Sequence, residues 1–414
     1  MFELSYRMSL MGPETSQRHH PGAQAIIGEL DDAASSNNAG LEALCDADPI
    51  RARQHFRRAF CHDPSQLGLL VNYGLALHQC GRIEAAERSY QLAIGQEDCR
   101  GAALKNLGFL KVWQRQGAQG WALHRQRFQS PSLMERQWQG EACLQGPLLI
   151  WNDVGQGDAL QFSRYLPLLA EQGLEIQFAV QPELVSLFQR SLPAALRVVD
   201  RNTAPWEQAP QHLPLMGLMG LLDPELTWGA TFTLPYLRGC LKGRVEPKPS
   251  TSKLRLGLCW ASNRDDKALF RSKSLPLADL LNHPEWQQGL DGVELVSLQR
   301  GEPDDHQRWG HRFSAQLPST AGWLETADWI ERCDWVLSVD TAVAHLAGAL
   351  GKPVIVLLPW MPDWRWRYGQ PGQCWYRHCW TAAQPSSGDW IGALRLARQL
   401  AGAAGLLPAD PAAK

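Results

Sequence analysis

Asp158 sits in NDVGQGDALQF (152–162), where Gly155 and Gly157 let the backbone turn sharply and set the carboxylate at a helix start. A carboxylate there is a helix cap or, facing a cleft, a general base. A second carboxylate ends an apolar run. VLSVDTAVAHLAGALGKPVIVLLP (336–359) reads as a buried strand, then Asp340 and Thr341, a helix of small residues, and another strand. The first turn of that helix, from Ala342 on, presents backbone N–H groups and a positive dipole end, which suit an anion. His345 lies one turn from Thr341 on the same face, as a ligand contact or as a satisfied core histidine. A third pattern is cationic. CWASNRDDKALFRSKSLPLADL (259–280) places Arg264, Lys267, Arg271 and Lys273 within ten residues, a grip for a diphosphate if it faces the same cleft and a solvated run otherwise. Trp260 near its start, and Trp364 within PWMPDWRWRYGQPGQCWYRHCW (359–380), offer stacking faces for a sugar or base, or pack the core.

Such groups need strands to carry them. After residue 145 apolar runs alternate with amphipathic stretches: 147–151, 174–180 and 196–200 read as one set of buried strands, and 254–261, 293–299, 335–340 and 353–359 as a second. The stretch GRVEPKPSTSK (243–253), rich in Pro, Ser and charge, is the expected hinge between the sets. Two βα layers then place Asp158 on one lobe, and Asp340, Thr341 and the basic run on the other, across an intervening gap. Ligands of open α/β sheets bind outside the carboxyl ends of the strands, which is where all three patterns fall.

The first third of the chain has another texture. Gly40, Gly74 and Gly108 recur every 34 residues, as do Ala52 with Ala86, Phe56 with Tyr90, and Ala59 with Ala93. This spacing, with NYG (72–74) and NLG (106–108), resembles tetratricopeptide repeats, each unit two antiparallel helices with small residues at the contact. The third unit has Gly120 and His124 where the pattern wants Ala and an aromatic residue, and is expected to be a cap. The expected divisions are a flexible leader over 1–35, repeats over 36–135, a first lobe over 146–245, a second over 254–402 and a tail over 403–414.

Composition narrows the function. With 40 basic against 42 acidic residues the chain has no overall charge footprint for nucleic acid. No apolar stretch nears the roughly 20 residues a membrane-spanning helix needs. Ten scattered cysteines without C-x-x-C pairs suggest reduced thiols and a cytoplasmic setting. Cys374, His378 and Cys379 fit no common metal spacing, and Asp46-Ala47-Asp48 lies in the repeats, so neither metal nor cofactor is expected.

SVDTAVAHLAGALGKP followed by PDWRW, with the upstream LLIWN…GQGDALQFSRYLPLL and WASN…RSKSLPL, resembles glycosyltransferase family 9, the heptosyltransferase-like family, in its branch fused to tetratricopeptide repeats. The resemblance runs over about residues 146–395. It implies an inverting, metal-independent GT-B enzyme with two Rossmann-like lobes, using a nucleotide-diphosphate sugar such as ADP-heptose and a glycan or protein hydroxyl as acceptor. By that resemblance Asp158 matches the catalytic base, with Gly155 and Gly157 forming its turn. Lys267, or Arg271 with Lys273, matches the diphosphate segment, and Asp340, Thr341, Ala342 and His345 match the donor-binding turn. The repeats would hold a protein partner or a second copy of the chain. Three places depart from the branch: the turn reads DVGQGD, GLM stands at 217–219 in place of a Ser-Leu-Pro element, and the RDDK loop is longer. The rival reading is a scaffold whose repeats bind proteins and whose transferase half is a relic.

Overall fold

The computed structural model describes residues 32–128, 130–141, 146–204, 209–225, 235–240, 253–367 and 375–407. Residues 243–252 of the expected hinge, residues 1–31 of the expected leader, 408–414 of the tail, and 368–374 with Cys374 lie outside the described residues. The chain divides into two compact units, with the boundary between residues 130 and 131.

The described residues of the first unit form helices and no strands: Ala33–Cys45, Pro49–His62, Leu69–Gln79, Ile83–Ala93, Glu97–Trp113 and Gly117–Arg125. Consecutive helices pack on one another. Asp32 caps the first helix through the Ser35 amide at 2.7 Å, so the first described helix begins at 33, ahead of the expected 36. Asp48 caps the second through the Arg51 amide at 2.9 Å, and Asp46 pairs with the Arg51 guanidinium at 2.8 Å, so the Asp-Ala-Asp stretch is a turn. The 34-residue register has a direct packing meaning. A Cβ on Gly40 would lie 2.5 Å from the Phe56 ring, and one on Gly74 2.6 Å from Tyr90, so each glycine admits the aromatic residue of the next helix. In the third pair a Cβ on Gly108 would lie 2.8 Å from the Gly120 carbonyl. Two glycines there bring the backbones together, and His124 is buried against Phe109 at 4.7 Å between ring centroids. Buried Asn72 donates to Asn37 at 2.9 Å, one repeat away.

The second unit holds two parallel sheets. The first contains β1 (Leu148–Trp151), β2 (Ile176–Val180), β3 (Leu196–Asp200) and β4 (Gln211–Pro214), in the order β3-β2-β1-β4. The second contains β5 (Arg255–Cys259), β6 (Glu294–Ser297), β7 (Ala315–Gln316), β8 (Trp335–Val339), β9 (Val354–Leu358) and β10 (Cys379–Ala383), in the order β10-β9-β8-β5-β6-β7. In each sheet the strand order reverses beside the first strand, between β1 and β4 and between β5 and β8, which opens a crevice at the carboxyl ends. The Val, Ile and Leu runs that form β8 and β9 are buried on both faces, as central parallel strands require.

Two boundaries differ from expectation. Residues 131–135, assigned to the repeats, form a short helix of the second unit. Beyond it Arg136 O accepts from His212 N at 3.0 Å and Trp138 N donates to His212 O at 2.9 Å, which adds a bridge to the free edge of β4. His212 is pinned on both ring nitrogens, accepting from Trp151 Nε1 at 3.2 Å and lying 3.0 Å from the Leu133 carbonyl. At the other end the Trp390–Ala403 helix runs past 402 and Leu407 is buried in the core of the second sheet, so residues 403–407 belong to the fold rather than to a tail. No disulfide joins the described cysteines. No helix among the described residues is long and apolar enough to cross a membrane.

Candidate active site

Two strand-to-helix corners build the site. At the first, Asn152 follows β1 and donates to Val154 O at 3.0 Å and to Gln181 Oε1 at 2.7 Å, tying the turn to the end of β2. The Gln156–Phe162 helix starts there, and Asp158 Oδ2 accepts from the Gly155 amide at 3.1 Å, as an acidic group in a first turn does.

At the second corner β8 delivers Asp340. Its Oδ2 accepts from Lys273 Nζ at 2.5 Å and its Oδ1 from Trp366 Nε1 at 2.8 Å. Thr341 opens the Ala342–Ala349 helix without capping it, because its hydroxyl turns to Ser338 Oγ at 3.1 Å and Cys259 Sγ at 3.6 Å. His345 stacks on Trp366 at 5.3 Å, shares a 2.9 Å hydrogen bond with Tyr376 Oη, and keeps Nε2 4.0 Å from Asp340. Gly348 leaves the space that the Tyr376 ring fills.

The two corners touch. A Cβ on Gly157 would stand 3.2 Å from His345 and 3.3 Å from Ala342 Cα, tighter than ordinary contact, so a side chain there would push the two helix starts apart by a few tenths of an ångström. Arg365, on the short Trp364–Arg367 helix after β9, donates through Nη2 to Asp158 Oδ1, and its Nη1 lies 3.3 Å from Asp363 Oδ1. Around this pair Phe162 stacks on Trp364 at 6.0 Å, Trp323 donates to Gln156 at 2.9 Å, and Arg164 donates to the Trp375 carbonyl at 2.7 Å. The expected gap between Asp158 and the second corner is therefore filled. Small residues at the contact bring the helices together, and Arg365 supplies the countercharge that lets Asp158 be buried there.

Burial and charge act differently on the two acids. Burial raises Asp158 from 3.8 to about 7 against the pull of Arg365, with Asp363 and Asp340 adding to the rise. Burial also opposes ionisation of Asp340, but Lys273, then Arg365, outweigh it and hold that carboxyl below the ordinary range. Lys273 is half-buried, which works against its charge, yet Asp340 and Asp363 raise it. Burial, then Arg365, push His345 down to about 3, so its imidazole is neutral. An acid near 7 can exchange a proton at neutral pH, whereas Asp340 is a fixed anion that orders the cations around it.

The structure thus brings together Asp158, Gly157, Lys273, Asp340, Thr341, Ala342 and His345. Lys267 and Arg271 instead lie exposed on the Lys267–Lys273 helix, outside the buried cluster, and Arg264 pairs with Glu302 at 2.5 Å. Neither stacking candidate has a free face. Trp260 is stacked on Phe313 at 5.6 Å and donates to Asp305 at 2.7 Å, and Trp364 lies against Phe162, because both indoles complete the apolar core. Arg365, Trp366 and Tyr376 are the site residues that sequence reasoning missed. Their signal was the charge within the Trp-dense stretch 359–380, an arginine beside two indoles. Among the described residues no three His, Cys, Asp or Glu side chains form a cluster able to hold a metal ion.

Residues 312–367 match glycosyltransferase family 9 (heptosyltransferase). No curated protein matches the chain. Among solved structures, the Escherichia coli heptosyltransferase WaaC with ADP is similar at 15% identity and a TM-score of 0.40, over 62% of this chain and 100% of that one. A family 9 glycosyltransferase from Veillonella parvula is similar at 11% identity and a TM-score of 0.41, over 64% and 99%. An O-GlcNAc transferase mutant from Thermobaculum terrenum is similar at 12% identity and a TM-score of 0.31, over 90% and 91%. The family match takes in β8, Asp340, Thr341, His345 and Arg365, and ends before Tyr376, while Asp158 and Lys273 fall outside it. On residues 312–367, the second corner supports a glycosyltransferase.

Proposed function

We propose that the chain is an inverting transferase that moves a sugar from a nucleotide-diphosphate donor, ADP-heptose-like in kind, to a hydroxyl of a glycan or a protein. Asp158 removes the acceptor hydroxyl proton. Lys273, Thr341 and the first amides of the Ala342–Ala349 helix stabilise the negative charge growing on the diphosphate, and Asp340 fixes Lys273 for that task. Neither metal nor cofactor enters this scheme, since the cations and the helix start carry the leaving-group charge. The two sheets are the two lobes of a GT-B fold, the six helices are tetratricopeptide repeats that hold a protein partner or a second copy, and the setting is cytoplasmic. The observation that carries the reading is the meeting of the two corners, an acid raised to about 7 from the first sheet against the fixed Asp340–Lys273 pair of the second.

Release of nucleoside diphosphate from a panel of ADP-, UDP- and GDP-sugars, compared between wild type and Asp158→Asn, tests it. The expected result is turnover of one donor class and a loss of about 100-fold or more in the variant. A second reading has one observation in its favour: Arg365 already occupies Asp158 and the space around it is filled. On that reading the transferase half is a relic and the repeats are a protein-binding scaffold. No turnover or hydrolysis of any donor, together with a partner bound by the repeats, would establish it.

A further inference from the structure

Both oxygens of Asp158 are engaged, Oδ2 by the Gly155 amide at 3.1 Å and Oδ1 by Arg365. One lone pair of each oxygen is thereby taken, and with the surrounding space filled an incoming hydroxyl meets the carboxylate only once a partner leaves. The backbone of Arg365 is fixed, its N–H donating to Asp363 Oδ1 at 3.2 Å and its carbonyl accepting from Trp375 Nε1 at 2.7 Å, so the side chain is the part able to change partner. The groups facing Asp158 are Arg365, Asp363, Lys273 and Asp340, with the neutral His345 against the neighbouring Gly157. Three carboxylates thus share two cations, and each cation rests on an acid of one corner: Lys273 on Asp340 and Arg365 on Asp158.

We propose that Arg365 is a positioning residue that alternates between two anions, the Asp158 carboxylate in the resting chain and the diphosphate of the donor in the loaded one. The proposal rests on the transferase reading above. A diphosphate arriving at Thr341 and Ala342 presents oxygens that match a guanidinium fork, and it competes with Asp158 for Arg365. Once Arg365 turns to the phosphates, Asp158 is left beside Asp363 and Asp340 with one cation fewer. It then becomes a stronger base that is ionised in a smaller fraction of the chains, and that ionised fraction is the form that takes the acceptor proton. The exchange sets an order, with the donor unmasking the base before the acceptor is activated.

The experiment is calorimetric titration of the full chain with ADP, UDP and GDP at pH 7, in two buffers of different ionisation heat. Wild type is expected to take up a fraction of a proton on binding its preferred nucleotide. Asp158→Asn is expected to bind that nucleotide as tightly or more tightly, because Arg365 is no longer held, and without proton uptake. Arg365→Lys keeps the charge but loses the fork, and is expected to bind about tenfold more weakly. A merely structural arginine would move neither proton uptake nor the affinity of Asp158→Asn. Nucleotide binding without proton uptake in wild type, or equal affinity in Arg365→Lys, would overturn the exchange and leave the transferase reading standing. Failure of wild type to bind any of the three overturns both.

Discussion

The two corners of the second unit share one plan and differ in outcome. Each ends a central strand of a parallel sheet, each sets an Asp at or near a helix start, and each Asp is buried to about the same degree, 4% exposed for Asp158 and 5% for Asp340. Yet Asp158 rises to about 7 while Asp340 is held low. The difference lies in what is brought to them. Asp340 receives Lys273 and the Trp366 N–H, two donors aimed at two oxygens. Asp158 receives one backbone amide and an arginine shared with Asp363. Burial alone therefore does not set the chemistry of an acid; its donors do.

The contrast is broken most directly by the same change at both corners. Asp340→Asn takes from half-buried Lys273 the carboxylate that holds its Nζ at 2.5 Å, and should cost about 3 kcal/mol in chemical denaturation. Asp158→Asn should cost clearly less at pH 8, because Arg365 keeps Asp363 at 3.3 Å. Equal losses would mean that the corners are equivalent after all.

The second effect is on pH dependence. Asp158 is raised in the fold, so its contribution is fully present below its unfolded value of 3.8 and is lost as pH climbs through about 7. His345 is lowered from 6.5 to about 3, so its contribution is present above 6.5 and is lost as pH falls toward 3. The two slopes oppose each other across the acid range, where a tenfold change in proton affinity is worth about 1.4 kcal/mol. Denaturation midpoints against pH should therefore rise more steeply from pH 4 to 7 in Asp158→Asn than in wild type. Identical profiles would remove the assigned rise of Asp158.

Gly348→Ala sets a methyl against the Tyr376 ring and so displaces the partner of His345, for an expected loss of about 1–3 kcal/mol in thermal unfolding. The smallest effect is expected at the exposed cations: Lys267→Ala and Arg271→Ala should change stability by less than about 0.5 kcal/mol. They should also weaken nucleotide binding less than Lys273→Ala. A larger effect on binding from Arg271→Ala would return the exposed face to the site.

Helix geometry explains why the basic run was only half legible. Lys267 and Arg271 are four residues apart and share a face, while Lys273 lies on the opposite one, and a list of cations carries no phase. The long apolar runs gave β1, β2, β3, β5, β6, β8 and β9, because buried parallel strands are written as Val, Ile and Leu. Gln211–Pro214, Ala315–Gln316 and Cys379–Ala383 lack such runs, being outer strands or short ones, and stayed hidden. Asp158 and Asp340 were visible because each lies at a strand-to-helix corner with its own local pattern, and His345 because it lies one turn along the helix that follows. Arg365 carries no such local pattern, since its partner Asp158 lies 207 residues away and no spacing rule spans that distance.

The bridge that residues 136–138 add beside His212 has a practical corollary for dissecting the chain. A fragment starting at 146, where the first apolar run begins, would bare the His212 N–H and C=O on the outer edge of β4, ready to template pairing with another molecule. Starting at Pro131 keeps those two groups paired, so the shorter truncation should associate less than the longer one.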